Sequence, residues 1–326
     1  MPADQTLLQH APMSWLLELA NPEIRWYALR WLLGRSEEDR EVQEARSLIP
    51  ASPVVKAILD QQSHDGWWVD PTAGYSPLYK TTVWQVLFLA KMGLDASHEQ
   101  MRRGAEHVFR LMQAEDGSFP SSGRIYKGNL LCLEGLVCRA LYAAGYGRDP
   151  RLRRAYSFLV SLIRKQEFRC RYNGDLPCAW GAVKALGALT QIPSSQRSPE
   201  EARAVESCAG FLLSHNLSAG DYPCRRTVSS HWFRFGFPRG FNSDILEASL
   251  AILEAGYATH PQLVRAAEFV ASKRDAQWRW RMEESLNGRM LVDIEVKGRP
   301  SKWITLRALR LLTNVAVGVL ASPHGG

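Results

Sequence analysis

QQSHDGWW, residues 61–68, and QAEDGSF, residues 113–119, are two copies of one phrase: a glutamine, a short polar stretch, an Asp-Gly turn and an aromatic ring. Gln61 and Gln113 stand 52 residues apart, and a decayed copy, KQEFRC, carries Gln166 another 53 residues on. Two further periods, 107 residues, lead from Gln166 to Lys273, which opens KRDAQWRW at 273–280. A fixed period of this length marks stacked supersecondary units, none of which can bury its apolar face alone. A repeat running nearly end to end predicts a single domain over 1–326, with a repeat core over about 14–315 and a short disordered C-terminal tail.

Between the turns, apolar residues recur at helical spacing and no long run alternates as a strand, so the chain is expected to be all-α. One set of helices is rich in small and apolar residues: 23–33, 79–92, 130–144, 178–190, 243–255 and 302–313. A second, more charged set falls between them at 53–61, 98–113, 150–166, 199–215 and 261–273, with 12–19 completing six, and four of these open on proline at or near the first turn. Six buried and six outer helices in alternation predict an α/α toroid, an α6/α6 barrel. Gln61 and Gln113 should bond free carbonyls at helix ends, while the glycine takes the turn and Trp68 or Phe119 packs over the next helix.

Hydrophobic residues make up 46% of the chain and include 11 Trp, which excludes disorder and implies ample burial. The first twenty residues have no basic leader and no uninterrupted apolar stretch, so a cytoplasmic location is expected. The most apolar stretch, 303–320, contains Arg307, Arg310 and Asn314 and reads as a packed helix instead of a transmembrane segment. Six cysteines then read as thiols or metal ligands and not as a disulfide framework. The net charge of +7 permits an anionic partner, but the basic residues form no stripe with interleaved aromatics, which disfavours nucleic acid.

The Q-x-x-D-G-x-W/F turns, the paired helices and GRPSKWITLRAL (298–309) resemble the squalene-cyclase and protein-prenyltransferase class of α/α toroids. Within that class the chain looks most like a group of uncharacterised bacterial prenyltransferase or squalene-oxidase repeat proteins. The shared features are the WLLE…NPEIRW opening, the helix at Cys132–Gly135, Cys170, the segment Cys178–Gly181 and the stretch Phe235–Leu246. The resemblance implies a terpenoid cyclase or prenyltransferase-like enzyme acting on an isoprenoid, or another hydrophobic small molecule, in a central cavity. It also leaves open a non-catalytic toroid that binds a hydrophobic ligand or a protein partner, with any zinc structural.

The alternation puts the C-terminal ends of outer helices and the N-terminal ends of buried helices on one rim, where side chains converge and helix dipoles favour an anion such as an isoprenoid diphosphate. Cys132, Cys170, Cys178 and His215 map to that rim, and a Cys3His set suits zinc. Packing of the cysteines as small apolar residues is the competing account. The D-x-C spacing of the prenyltransferase zinc site is missing; the nearest match is Asp175 with Cys178. The D-x-D-D acid motif of squalene-type cyclases is missing too, which leaves Asp244 in FNSDIL as the proton donor, or as a helix cap, and His231 as a base. Trp232, Phe235 and Phe237 in HWFRFGFP, with Trp180, are the candidates for substrate contact, since ring faces can stabilise a carbocation, the competing account of the HWFRFGFP rings being that they fill a core loop; Lys302 either contacts an anion or lies in solvent.

Overall fold

The computed structural model describes residues 5–122 and 127–315; the tail expected beyond the repeat core lies outside them. The chain is predominantly helical. In order, the helices are α1 (Gln5–Leu8), α2 (Met13–Leu16), α3 (Pro22–Trp31), α4 (Arg40–Leu48), α5 (Pro53–Leu59), α6 (Thr82–Lys91), α7 (Glu99–Met112), α8 (Leu131–Leu141), α9 (Pro150–Gln166), α10 (Ala179–Leu189), α11 (Pro199–Leu213), α12 (Ile245–Glu254), α13 (Pro261–Ser272) and α14 (Lys302–Leu312). Three short antiparallel ladders pair β1 (Ser121–Ser122) with β2 (Lys127–Gly128), β3 (Arg169–Cys170) with β4 (Leu176–Pro177), and β5 (Trp280–Arg281) with β6 (Pro300–Ser301).

The apolar set forms as expected: α6, α8, α10, α12 and α14 are buried on nearly every side. Each packs on the next, α6 on α8, α8 on α10, α10 on α12 and α12 on α14, and α14 packs on α3. Five of these six helices also pack on the outer helix that follows: α3 on α4, α6 on α7, α8 on α9, α10 on α11 and α12 on α13. Two details of the outer set differ from expectation. Residues 12–19 yield only the single turn of α2, and α4 was not anticipated. Helix α4 has no opening proline; Asp39 caps it instead, accepting from Glu41 N at 2.8 Å and Val42 N at 3.4 Å, and it buries only Val42 and Ala45.

The repeated turn is a staple between neighbouring units. In the second copy Gln113 Nε2 donates to Gly117 O (3.1 Å) within the turn and to Arg151 O (2.8 Å) on the next outer helix. In the first copy the corresponding residue is Gln62, whose Nε2 donates to Gly66 O (3.1 Å) and Gln100 O (2.9 Å). Gln61, the other half of the doublet, is exposed and its side chain turns back to Ala57 O on α5, so the first interval is one residue shorter than the sequence suggests. The turn glycines have φ of +91° at Gly66 and +90° at Gly117 and lie directly on backbone. A Cβ there would come within 2.9 Å of Arg103 C or 2.8 Å of Arg154 C.

The ring completes the staple. Trp68 Nε1 donates to Ile58 O (2.8 Å) and Trp280 Nε1 to Val270 O (2.7 Å), each at the end of the preceding outer helix. The backbone N–H of the same residue is accepted by the first turn of the next buried helix: Trp68 N by Thr82 Oγ1 at 3.1 Å and Trp280 N by Thr305 Oγ1 at 3.0 Å. In the middle copy Phe119 N donates to both oxygens of Glu134 at 3.0 and 3.1 Å. Burial pushes the Glu134 carboxyl up to about 8 despite that bond.

Between the buried helices lies an ion network, not an empty apolar channel. Glu247 on α12 pairs with Lys184 of α10 and lies 3.6 Å from Lys91 of α6. Burial alone would raise the Glu247 carboxyl, but Lys184, Lys91 and Arg307 together outweigh it and hold the group below the ordinary carboxylate range. Two turns later Glu254 receives Arg310 Nη1 at 2.9 Å, Arg139 Nη2 at 3.2 Å and Thr190 Oγ1 at 3.3 Å, from α14, α8 and the end of α10.

Two stability predictions follow from these contacts. Gly117→Ala meets both an unfavourable φ and a backbone clash and should cost about 1–3 kcal/mol, read by urea unfolding; a neutral outcome would remove the docking role of the turn. For Glu134, the folded value of about 8 lies above the ordinary 4.5, so its stabilising contribution is complete below about pH 4.5 and is lost as pH rises through about 8. Glu134→Gln keeps an acceptor for Phe119 N and should flatten the fall in urea midpoint over that window relative to wild type. Parallel pH profiles for the two proteins would refute the assignment.

Candidate functional site

A cavity of about 860 Å³ opens where α8 and α10 begin. Leu131, Cys132 and Leu133 of α8 and Cys178, Trp180 and Gly181 at the start of α10 form part of its wall, closed by Tyr75, Leu78, Phe168 and Phe241. The β3–β4 hairpin and the 222–229 loop supply much of the remainder. Asn173 joins these two segments. Its Nδ2 donates to Pro177 O (2.9 Å) and Pro223 O (3.0 Å), and its Oδ1 accepts Arg225 N (3.1 Å). The hairpin is held in unusual backbone states, with φ of +47° at Glu167, +63° at Phe168 and +60° at Asp175, all non-glycine residues.

The cavity combines apolar walls with a cationic lining. Lys127, Lys165, Arg169, Arg171, Arg225 and Arg226 line it, against the single carboxylate of Asp175. Two helices also begin on it without an oxygen cap. The N-cap positions of α8 and α10 are Leu130 and Cys178, whereas Asp244 caps α12 and Ser301 caps α14. Uncapped first-turn N–H groups are donors suited to an anion. Asn129 Oδ1, also on the lining, is buried with no partner.

Three of the four expected metal ligands meet here, in a different chemical state. The Cys178 thiol donates to the Cys170 sulfur, which also receives the N–H groups of Tyr172 and Asn173 and lies near Arg171. These donors, the Cys178 thiol foremost, outweigh burial and bring Cys170 down to about 6. The same hydrogen bond, with burial, drives the Cys178 thiol well up, and burial raises Cys132. His215 stands apart: it packs edge-on against Phe211 and its Nδ1 is 3.6 Å from Asp221 Oδ1. Among the described residues no group of three or more His, Cys, Asp or Glu side chains is placed to hold a metal, so the residues present do not fit the expected Cys3His zinc set.

The other expected residues divide the same way. Of the four aromatics, Trp180 lines the cavity. Trp232 is fully buried and donates Nε1 to Leu217 O at 2.8 Å, as the staple tryptophans do. Phe235 packs edge-on against Phe269, and Phe237 stacks on Trp303 with ring centres 4.0 Å apart. Lys302 is committed to Glu18 Oε2 and Asn21 Oδ1, both at 2.6 Å. Asp244 has no exposed surface and caps α12; its oxygens accept Glu247 N (2.8 Å) and Gly236 N (3.1 Å) and face Arg239 Nε at 3.3 Å. Both of its oxygens are thereby engaged in holding the loop and the helix start. His231 faces Glu284 at 3.3 Å in a smaller neighbouring cavity of about 160 Å³. The arginines of the main cavity were not picked out from the sequence, because they sit in irregular segments with no periodic signal.

No protein-family model matches this chain, and a search of curated proteins found no match. Among the described residues no helix is long and apolar enough to cross a membrane.

The hydrogen bond between the two thiols has a direct readout. Alkylation of Cys170 by iodoacetamide, followed by mass spectrometry of its peptide, should show a midpoint at about pH 6, moving up toward the ordinary 9.0 in Cys178→Ala. A wild-type midpoint near the ordinary value would mean that the Cys170 sulfur is not held as a thiolate.

Proposed function

We propose that the chain is an α/α toroid of the terpenoid-cyclase and prenyltransferase type, and that its rim cavity binds an amphiphilic anion, an isoprenoid diphosphate being the model ligand. The toroid reading is supported by the order of helix contacts, in which α6, α8, α10, α12 and α14 pack each on the next and α14 packs on α3. The ligand reading is carried by one observation: apolar and aromatic walls in the same cavity as six cationic side chains, Lys127, Lys165, Arg169, Arg171, Arg225 and Arg226. The apolar body would lie against Leu131, Phe168 and Trp180, with the diphosphate between the arginines and the first-turn N–H groups of α8 and α10. The site is therefore at the rim, since the space between the buried helices is taken by the Glu247 network. On the enzymatic reading the chemistry is prenyl transfer, cyclisation or isomerisation. A second reading, a binding protein without turnover, is favoured by the commitment of Asp244 to its cap and ion pair, which leaves no carboxylic acid there to start a cyclisation.

Titration with farnesyl diphosphate, followed by tryptophan fluorescence, tests the proposal. Farnesyl diphosphate should bind saturably and more tightly than either farnesol or inorganic diphosphate. The Arg171→Ala/Arg225→Ala protein should lose about tenfold or more in affinity, the scale of one or two charge-assisted contacts. No saturable binding, or equal binding by the double variant, would sink the ligand reading. Release of inorganic diphosphate on prolonged incubation would select the enzyme over the binding protein.

A further inference from the structure

The cavity wall contains a feature that diphosphate binding does not use. In the β3–β4 ladder Arg169 pairs with Pro177 and Cys170 with Leu176, and Cys178 N donates to Phe168 O at 2.8 Å, which continues the ladder by one more pair. Cys170 and Cys178 are thus diagonal neighbours on one face of the ladder. Both line the cavity, and Cys170 is partly open to solvent. The remaining cysteines are placed differently: Cys138 and Cys208 are fully buried in the core, Cys224 donates to Tyr222 O, and Cys132 lies on α8, outside the ladder.

We propose that Cys170 and Cys178 are a peroxide-reactive thiol pair, a modification site at which the cavity wall is converted to a disulfide. Cys170, between Arg169 and Arg171 on the cavity wall, is the attacking sulfur, and Cys178, at the start of α10, is the resolving thiol. With a hydroperoxide as oxidant, the Cys170 sulfur attacks one oxygen. The S–O bond forms as the O–O bond breaks, and the departing oxygen takes a proton to leave as water or an alcohol. Cys178 then gives up its proton and attacks the Cys170 sulfur. The S–S bond forms as the S–O bond breaks, and hydroxide leaves with that proton as water. Two electrons pass from the two sulfurs to one peroxide. The product ties the hairpin covalently to the start of α10 and removes a negative charge from the cavity. It does not depend on what the cavity binds.

The test uses the full chain and equimolar hydrogen peroxide, with free thiols blocked before tryptic digestion without reductant. Trypsin leaves Cys170 on the dipeptide Cys170-Arg171 and Cys178 on the segment 172–184, so the two appear as one mass only if joined. The expected result is that joined peptide, released by dithiothreitol. In Cys178→Ala the reaction should stop at a sulfenic acid on Cys170 that dimedone traps. In Cys170→Ala, Cys178 should remain reduced. The proposal is overturned if wild-type Cys170 stays a free thiol under these conditions, or if it joins Cys132 or Cys224 instead. The wild-type result decides this without reference to whether either variant folds.

Discussion

Two carboxylates seven residues apart on one helix link four of the other buried helices through ion pairs. Glu247 and Glu254 lie two turns apart on α12, on one face, and between them they take cations from α6, α10, α8 and α14. Apolar packing alone would let neighbouring helices slide or rotate at little cost, because one leucine-sized contact resembles the next. A buried charge has no such freedom: removing one partner of a buried pair costs about 3–5 kcal/mol. The network thereby sets which turn of each buried helix faces which, and so where each one begins. The rim cavity is assembled from those beginnings.

That division of labour explains what could be read in the sequence. The turns were legible because a glutamine, a glycine and an aromatic ring are each demanded by a separate local contact, and the demand recurs. The doublet Gln61–Gln62 blurred the register, since both residues sit at a helix end and only the structure shows which one reaches Gln100. Helix α4 escaped notice because its start depends on Asp39 and its apolar face on two residues. Glu247 and Glu254 look like ordinary helix carboxylates; nothing local distinguishes them from exposed ones.

The site was legible where topology decides position and obscure where side-chain commitment does. Cys132, Cys170, Cys178 and Trp180 converge because they open adjacent buried helices or their hairpins. His215 ends an outer helix on the same rim and still packs elsewhere. Trp232, Phe235 and Phe237 resemble a cavity lining as a string of letters, yet Trp232 belongs to the same class of contact as Trp68 and Trp280. Lys302 and Asp244 bear the charges that a catalytic reading seeks, and both are already paired.

The staple has one more consequence. The amide of Gln62 reaches a carbonyl 38 residues ahead, and so does that of Gln113. What the amide meets at each joint is main chain, which has the same chemistry whatever residue stands there. That contact is consequently blind to the side chain at the acceptor position: residues facing the cavity or solvent can diverge from copy to copy while the amide bond stays the same. The decay of the third copy at Gln166 falls where the chain departs from the joint to build the cavity.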